Sequence, residues 1–211
     1  MIRVLIVDDH AIVRQGLRRI LDEAKGIKVG GEAANGVEAL KMMRTGEWDV
    51  VLLDISMPGM NGMDTLKRIM DGDKDAKVLI LSMYREDMYA VRLMKAGASG
   101  YLTKETAPEQ LVEAIRTVFA GKKHISSNLA ELLLQECCSD SGKSPHETLS
   151  DREYQVLRLI GSGKKVSEVA VALSLSVKTV STYRANILEK MKLKNNAELT
   201  YYVMQNSLQE E

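Results

Sequence analysis

The sequence predicts a two-domain protein: an α/β domain built on a doubly wound parallel sheet, (βα)₅, followed by a small all-α domain of four helices. Three observations support this. Short apolar runs alternate with amphipathic stretches over roughly the first 120 residues. After residue 147 no strand-like run occurs. The segment between the two parts is small, polar and turn-forming.

The predicted strands are short runs of Val, Ile and Leu, which is typical of parallel strands covered by helices on both faces. Three such runs occupy residues 4–7, 50–53 and 78–81, and two weaker ones lie near 28–33 and 100–103. Apolar residues at helical spacing follow each run, such as Leu17, Ile20 and Leu21 after the first. This alternation predicts the five β/α units.

The predicted boundaries are 1–121 for the α/β domain, 122–147 for a linker with a short helix, and 148–211 for the helical domain. The linker contains a polar stretch at 139–145 that ends in proline. Ser150 and Glu153 have the spacing of a capping box and predict the start of the first C-terminal helix.

The composition excludes several classes of protein. With 45% apolar and 27% charged residues, the chain is neither disordered nor collagen-like. Cys137 and Cys138 are adjacent and lack zinc-site spacing, which indicates a reduced, cytoplasmic protein. No apolar run is long enough for a membrane span, so no membrane partner is expected. The 29 basic and 29 acidic residues cancel, yet residues 145–196 carry nine basic and five acidic ones.

Polar and charged residues follow the predicted strands at the edge where open α/β sheets bind their ligands. Asp8 and Asp9 follow the first strand, Asp54 the third, Ser82 ends the fourth, and Lys104 follows the fifth. Clustered carboxylates repel one another unless a cation lies among them, and such oxygen ligands suit Mg²⁺. The lysine can neutralise an incoming anion. Together these residues predict a phosphoryl-accepting site with Asp54 as the nucleophile.

The motifs around this site occur in a distinctive order. They are Asp8-Asp9-His10, Asp54 followed by Met57-Pro58-Gly59-Met60-Asn61-Gly62, Ser82, and Gly100-Tyr101-Leu102-Thr103-Lys104. Over residues 1 to about 121 the chain therefore resembles a response-regulator receiver domain. The resemblance implies that Asp54 accepts a phosphoryl group from the phosphohistidine of a sensor histidine kinase.

The resemblance also implies roles for the neighbouring residues. Mg²⁺ would be bound by Asp9, Asp54 and the backbone carbonyl of Ser56, with Asp8 in support. Ser56 and Tyr84 would tune the lifetime of the phosphoryl group.

The switch residues follow from the same resemblance. Lys104 would contact the phosphoryl group, Ser82 would move toward its oxygens, and Tyr101 would change rotamer. One departure from the family pattern is Glu105, which stands where many receivers have a proline after the lysine. It is expected to leave the lysine in place while loosening the surface beside it.

The C-terminal helices predict a helix-turn-helix, because a turn of about three residues joins the second and third. On a helical wheel, the third helix has a polar face predicted to enter a DNA groove, formed by Lys178, Ser181, Thr182 and Ala185. Its opposite face is predicted to lie in the core and contains Val177, Val180, Ile187, Leu188 and Met191. The residues predicted to contact DNA phosphates are Tyr183, Arg184 and Lys192.

The helical domain has a family resemblance of its own. Its motifs include Leu149-Ser150-Asp151-Arg152-Glu153 and Ser176-Val177-Lys178-Thr179-Val180-Ser181-Thr182-Tyr183. They resemble the LuxR-type output domain, and the whole chain resembles the NarL/FixJ class of response regulators, with residues 178–184 particularly similar to its GacA/BvgA-like branch. The family implies that the final helix dimerises the domain on DNA half-sites, here through Leu199, Tyr202 and Val203. The alternative for these residues is packing against the third helix.

The predicted function is that of a transcription regulator switched by phosphorylation of Asp54, with no enzymatic role. By resemblance, the unphosphorylated receiver covers the recognition helix, and phosphorylation releases it and favours a homodimer on double-stranded DNA. One alternative is a pseudo-receiver that acts without phosphorylation, and another is an RNA-binding output. A third is an aspartyl-phosphate phosphohydrolase of the haloacid-dehalogenase type, but such enzymes carry a second acid where this chain has Ser56.

Overall fold

The computed structural model describes residues 1–83, 86–106, 108–138, 145–173, 175–206 and 208. The chain divides into two compact units, Met1–Cys138 and Ser139–Glu211. Among the described residues, no helix combines the length and the apolar character needed to cross a membrane.

The first unit is a parallel five-stranded sheet flanked by helices, as predicted for an α/β domain. The strands lie in the order β2-β1-β3-β4-β5, which is a doubly wound order. They are β1 Ile2–Val7, β2 Ile27–Ala33, β3 Val50–Leu53, β4 Val78–Ser82 and β5 Gly100–Thr103. The helices are α1 Ala11–Glu23, α2 Gly36–Thr45, α3 Gly62–Gly72, α4 Glu86–Lys95, α5 Pro108–Phe119 and α6 Ser127–Cys138.

The apolar runs form the centre of the sheet because both of their faces are covered. Every residue of β3 and β4 is buried. Val4 and Ile6 of β1 pack in one core layer with Leu21 of α1 and Ile115 of α5. Since side chains alternate along a strand, the intervening Leu5 supplies the opposite layer. The buried sheet therefore holds the residues that follow its strands in defined positions.

The segment after α5 returns to the free edge of β5. The backbone N–H of His124 donates to the carbonyl of Ser99 at 2.9 Å, and His124 forms a parallel bridge with Gly100. The Lys123 ammonium donates to the carbonyl of Ala98 at 2.7 Å. Helix α6 then packs against α4. Residues 122–138 thus belong to the first unit, whereas the sequence-based boundary is at 121; the polar stretch at 139–144 lies outside the described residues.

The second unit contains a short 3-10 helix, Pro145–Thr148, followed by α7 Asp151–Gly161, α8 Val166–Ala172, α9 Val177–Lys190 and α10 Asn196–Gln205. The capping box at α7 is confirmed: Ser150 and Glu153 exchange side-chain and backbone hydrogen bonds. Ser176 caps α9, and Asn195 caps α10. These three helices therefore start where a side chain accepts from a free N–H group of the first turn.

The predicted core face of α9 is right except at its first residue. Val180, Ile187 and Met191 are buried, and Leu188 is half-buried. Val177 is 53% exposed, so its predicted core position is wrong. A side chain in a helix tilts toward the N-terminus, and that of the first residue points past the end of the helix.

Candidate functional site

Three carboxylates meet at the carboxyl edge of the sheet, where parallel strands deliver their last residues to one place. Asp8 and Asp9 follow β1, and Asp54 follows its neighbour β3. One side-chain ligand atom from each of them, together with one from His10, lies within 4.8 Å of the others. Asp8 and Asp54 are each 2% exposed. The adjacency of β1 and β3 turns separate sequence positions into one acidic cluster.

Lys104 joins two of these acids. Its Nζ lies 2.6 Å from Oδ2 of Asp8 and 3.0 Å from Oδ2 of Asp54. The lysine is aligned by the sheet, since its backbone N–H donates to the carbonyl of Ser82 at 2.7 Å, next to the pairing of β4 with β5. Lys104 therefore occupies a fixed position between two carboxylates before any ligand arrives.

The pKa values of this pair follow from burial and charge. Burial raises the pKa of the Asp54 carboxyl, opposed by the Lys104 ammonium and reinforced by the negative charge of Asp8. Burial by itself would lower the pKa of Lys104, but its hydrogen bonds and charge attraction to Asp8 and Asp54 raise it. The lysine is thus held charged, and one lysine does not balance three carboxylates. Such an oxygen-rich, anionic set suits a hard divalent cation such as Mg²⁺.

His10 is a member of the cluster that sequence reasoning assigned no metal role. Its Nδ1 lies 2.9 Å from Oδ1 of Asp9 and 3.4 Å from Oδ1 of Asp8. Its backbone N–H also donates to Oδ1 of Asp8 at 2.8 Å. The sequence shows that His10 follows Asp8 and Asp9. The structure adds that the imidazole points back toward the two carboxylates.

The loop that follows Asp54 is packed against the acid itself. The backbone N–H of Ser56 donates to Oδ1 of Asp54 at 3.2 Å. A Cβ on Gly62 would lie 2.1 Å from the backbone oxygen of Asp54, so only glycine fits there. Asn61 caps α3 by accepting from the N–H of Asp64 at 2.7 Å. The Met57–Gly62 motif thereby ties the start of α3 to the carboxylate site.

The remaining predicted switch residues lie on β4 and β5. Ser82 is fully buried at the end of β4, paired in register with Thr103. Tyr101 is 1% exposed and paired with Ile80, so its ring lies inside the unit. Tyr84 lies outside the described residues. The structure therefore brings Lys104 into contact with Asp8 and Asp54, places Asp9 in the same acidic cluster, and gathers Ser82 at the same edge.

The predicted DNA-facing surface of α9 is open to solvent. Its polar face of Lys178, Ser181, Thr182 and Ala185 is exposed throughout. Thr182 Oγ1 donates to the carbonyl of Lys178 at 3.1 Å, an internal bond of the helix. The flanking residues, which were predicted to contact phosphates, are half-buried at Tyr183 and Arg184 and exposed at Lys192.

A hydrogen bond holds the Arg184 side chain, and Lys192 lies at a turn of the backbone. Arg184 Nε donates to Oδ1 of Asn196 at 2.5 Å, which links α9 to the start of α10. Lys192 has a φ of 56° just after α9, where the chain turns toward α10. The Arg184 side chain therefore lies at the junction of α9 and α10, beside the exposed face of α9.

Two of the three dimer candidates predicted on α10, Leu199 and Val203, are buried, and the third, Tyr202, is half-buried. Leu199 and Val203 are completely buried, and a Cβ on Gly161 of α7 would lie 2.5 Å from Val203 Cγ2. Tyr202 Oη lies 2.8 Å from Nδ1 of His146. Leu199 and Val203 belong to the domain core, and α10 packs against α7. The large apolar side chains that α10 exposes are Tyr201, at 63%, and Met204, at 59%.

Comparison with known proteins agrees with both units. The family "Response regulator receiver domain" matches residues 4–116, and "Bacterial regulatory proteins, luxR family" matches residues 147–203. The first match alone covers more than half of the chain, including the acids and Lys104. The chain belongs to the response-regulator family.

Relatives of full length support this assignment. Response regulator UvrY of Escherichia coli is 42% identical over 99% of this chain and 96% of its own length. Response regulator GacA of Pseudomonas aeruginosa is 40% identical over 99% of this chain and 98% of its own length. The GacA-like resemblance of the sequence is thus confirmed.

A solved structure has the same architecture. RcsB of Salmonella enterica serovar Typhimurium, bound to promoter rprA in the presence of the phosphomimetic BeF3⁻, is 26% identical, with a TM-score of 0.61. The match covers 97% of this chain and 99% of RcsB. This chain is a two-component response regulator with a receiver domain and a LuxR-family DNA-binding domain.

Proposed function

We propose that this response regulator is switched by a phosphoryl group on Asp54, which a sensor histidine kinase supplies. The observation that carries the proposal is the contact of Lys104 Nζ with both Asp8 and Asp54, at 2.6 and 3.0 Å, inside a cluster of three carboxylates. A buried cation beside one acid of such a cluster suits transfer of an anionic group to that acid.

The transfer has a simple atom balance. A carboxylate oxygen of Asp54 attacks the phosphorus of a phosphohistidine, an O–P bond forms, and the N–P bond breaks. The leaving imidazole nitrogen takes a proton, and the product is an aspartyl phosphate. Lys104, already charged and only 9% exposed, is positioned to pair with the transferred group in place of the Asp54 carboxylate.

The cofactor we propose is Mg²⁺. Asp9, Asp54 and the backbone carbonyl of Ser56 would hold it, with Asp8 in support, and the acidic cluster fits a cation of this kind. When bound, it neutralises charge on the phosphoryl oxygens. The protein's own contribution is to keep the acids together through β1 and β3 and to keep Lys104 charged.

The switch itself is proposed to pass through Ser82 and Tyr101. Ser82 lies at the end of β4, immediately before the chain leads into α4, and Tyr101 is buried on the adjacent β5. A shift of the Ser82 hydroxyl toward a new phosphoryl group would leave space that the Tyr101 ring can enter by a rotamer change. This offers a discrete, two-state rearrangement of the β4–α4 and β5 region.

The output is proposed to be binding of double-stranded promoter DNA by α9, as a homodimer and in the cytoplasm. The exposed face of Lys178, Ser181, Thr182 and Ala185 is shaped for a major groove, because its side chains are small or flexible. Tyr183, Arg184 and Lys192 would contact phosphates. For the second copy we assign the exposed Tyr201 and Met204 of α10, in place of the buried Leu199 and Val203.

The proposed role is regulatory and not enzymatic beyond slow loss of the protein's own phosphoryl group. A phosphohydrolase of the haloacid-dehalogenase type needs a second acid at the position of Ser56. A pseudo-receiver would not need a charged lysine held between two acids, as Lys104 is between Asp8 and Asp54.

The test is intact-mass measurement after incubation with Mg²⁺ and acetyl phosphate, with the full-length chain beside its Asp54→Asn variant. We expect one added phosphoryl group on the wild-type chain and none on the variant. Fluorescence anisotropy with a promoter duplex should then show tighter binding for the phosphorylated chain. An equal mass increase in both proteins would refute Asp54 as the acceptor, and equal DNA affinity would refute the switch.

A further inference from the structure

A groove between α2 and α3 has the dimensions of a ligand site. It consists of two adjoining cavities of about 500 and 310 Å³, both lined by Leu40, Arg44 and Arg68. Sites for small molecules in proteins have volumes of this order and combine apolar walls with a few polar groups. The groove is separate from the carboxylate cluster, and the function proposed above does not use it.

The walls of the groove are largely apolar. Met43 and Ile69 line the larger cavity, and Val37 and Met60 line the smaller one. Val37 is 63% exposed although it is a β-branched apolar residue on a helix. Methionine side chains adapt to ligands of different shape because they are unbranched and flexible. These walls can cover an apolar chain.

The charges of the groove are unevenly placed. All charged residues that line the smaller cavity are basic: Lys41, Arg44 and Arg68. The acids Asp71 and Asp73 line only the larger cavity. Negative charge on a ligand would therefore be attracted to the end formed by the three basic residues.

The side chains of these three cations have no partner among the described residues. Within the described part of the chain, no ion pair or hydrogen bond engages the side chains of Lys41, Arg44 or Arg68. Other arginines of the same unit do have partners, since Arg14 and Arg18 both pair with Glu32. Guanidinium groups bind carboxylate and phosphate through paired N–H donors. Two free arginines beside an apolar wall thus provide a receptor for an anionic head with an apolar body.

We propose that the groove between α2 and α3 binds a small amphiphilic anion, with its carboxylate or phosphate head at Arg44 and Arg68. The apolar chain of the ligand lies along Leu40, Met43 and Ile69. Binding removes apolar surface of both partners from water, while the head keeps its charge through the two guanidinium groups.

The groove touches the phosphoacceptor loop. Met60, which lines the smaller cavity, belongs to the loop between Asp54 and α3. A Cβ on Gly36, at the start of α2, would lie 3.1 Å from Met60 Sδ, so the two elements are in close contact. The proposed ligand site therefore borders the loop that follows Asp54. Binding of the ligand does not depend on the function proposed above.

The experiment is a titration of the full-length chain, followed by ¹H–¹⁵N chemical shifts, with dodecanoate and dodecyl phosphate below their micelle concentrations. Dodecyltrimethylammonium tests the charge of the head, and inorganic phosphate tests the head without a chain. The variants are R44Q/R68Q, which removes the two guanidinium groups, and R19Q as a matched control on the exposed face of α1. The titration is repeated on Asp54→Asn, which cannot accept a phosphoryl group.

We expect saturable shifts confined to α2, α3 and the loop at Met60, retained in R19Q and in Asp54→Asn, and at least tenfold weaker binding in R44Q/R68Q. Equal binding of the cationic amphiphile, or equal affinity in R44Q/R68Q and R19Q, would overturn the site. Vesicles of anionic phospholipid are the last probe, and binding to them but not to the monomeric amphiphiles would also overturn the site. Retained binding in Asp54→Asn separates this result from any failure of the phosphorylation experiment.

Discussion

The charged side chains are buried at the carboxylate site of the first unit and hydrated on the exposed face of α9. Asp8 and Asp54 are each 2% exposed and share Lys104, so their charges already interact within the protein. The face of α9 formed by Lys178, Ser181, Thr182 and Ala185 is exposed and stays hydrated until a partner binds. Interactions within a buried charge cluster contribute to the stability of the fold, whereas those of an exposed face contribute only when a partner binds. Substitutions in the first region should therefore alter stability and chemistry together, and substitutions in the second should alter binding alone.

The largest effect is expected for Lys104→Met. Removal of the ammonium leaves Asp8 and Asp54 facing one another, and the free energy of unfolding of the first unit should fall by about 3 kcal/mol. Added Mg²⁺ should restore part of the loss. Urea unfolding followed by the fluorescence of Trp48, the single tryptophan of the chain, measures it.

The matched control for Lys104→Met is Lys41→Met, which changes an exposed lysine of α2. It should change the unfolding free energy by no more than about 0.5 kcal/mol. Similar losses of unfolding free energy in the two variants, or no effect of Mg²⁺ on Lys104→Met, would contradict this explanation. They would show that Lys104 does not stabilise the fold by neutralising the buried carboxylates.

A smaller effect is expected for Gly62→Ala. The new Cβ would lie 2.1 Å from the backbone oxygen of Asp54, so the loop must move, at a cost of about 2 kcal/mol. Phosphoryl uptake from acetyl phosphate should slow at least tenfold, measured by intact mass against time. Gly72→Ala is the control in the same helix, because a Cβ there meets nothing within 4 Å. If both variants take up the group at the wild-type rate, the loop does not position Asp54.

On α9, Thr182→Ala and Lys192→Ala should separate two kinds of contact. Loss of a base contact at Thr182 should weaken promoter binding by about 1–3 kcal/mol and leave unrelated DNA unaffected. Loss of a phosphate contact at Lys192 should weaken binding to the promoter and to unrelated DNA alike. It should also reduce the slope of log affinity against log salt concentration by about one. Anisotropy titrations at several salt concentrations provide both values. Thermal unfolding should be unchanged in each variant, and a drop in stability would assign these residues to the fold.

The smallest effect is expected at the start of α7. Lys190 Nζ lies 2.7 Å from Oε2 of Glu153. Burial would raise the pKa of Glu153, but the hydrogen bonds from Lys190 and Ser150 outweigh it, so the pKa lies below the ordinary value of 4.5. The stabilisation is complete above pH 4.5 and is lost as the pH falls through the lowered pKa. Glu153→Gln should cost about 1 kcal/mol at neutral pH and flatten this acid dependence in thermal unfolding.

Much of this arrangement is predictable from sequence, because it depends on local rules. Continuous apolar runs such as 50–53 predict strands buried on both faces, and parallel strands bring Asp8, Asp54 and Lys104 to one edge. The capping box at Ser150 depends on residues three apart and is likewise visible in the sequence. Predictions of this kind need no knowledge of which elements are neighbours.

The predictions that needed correction depend on neighbours. A helical wheel places Leu199 and Val203 on an apolar face but does not show that α7 covers it. It places Val177 with the core residues of α9, although this first residue of the helix is 53% exposed. The imidazole of His10 folds onto Asp9 through a side-chain torsion that no spacing reveals. The packing of α6 on α4 is a long-range contact between segments of ordinary composition.

The strip of chain that pairs with the edge of β5 bears on how the receiver can be isolated. A fragment that stops at residue 121 would discard the hydrogen bonds of Lys123 and His124 and the helix that packs on α4. It would leave an open strand edge, which invites self-association through added strands. A fragment that ends after Cys138 keeps that edge protected. Aggregation or dimer formation by the shorter piece would therefore be an artefact of the cut.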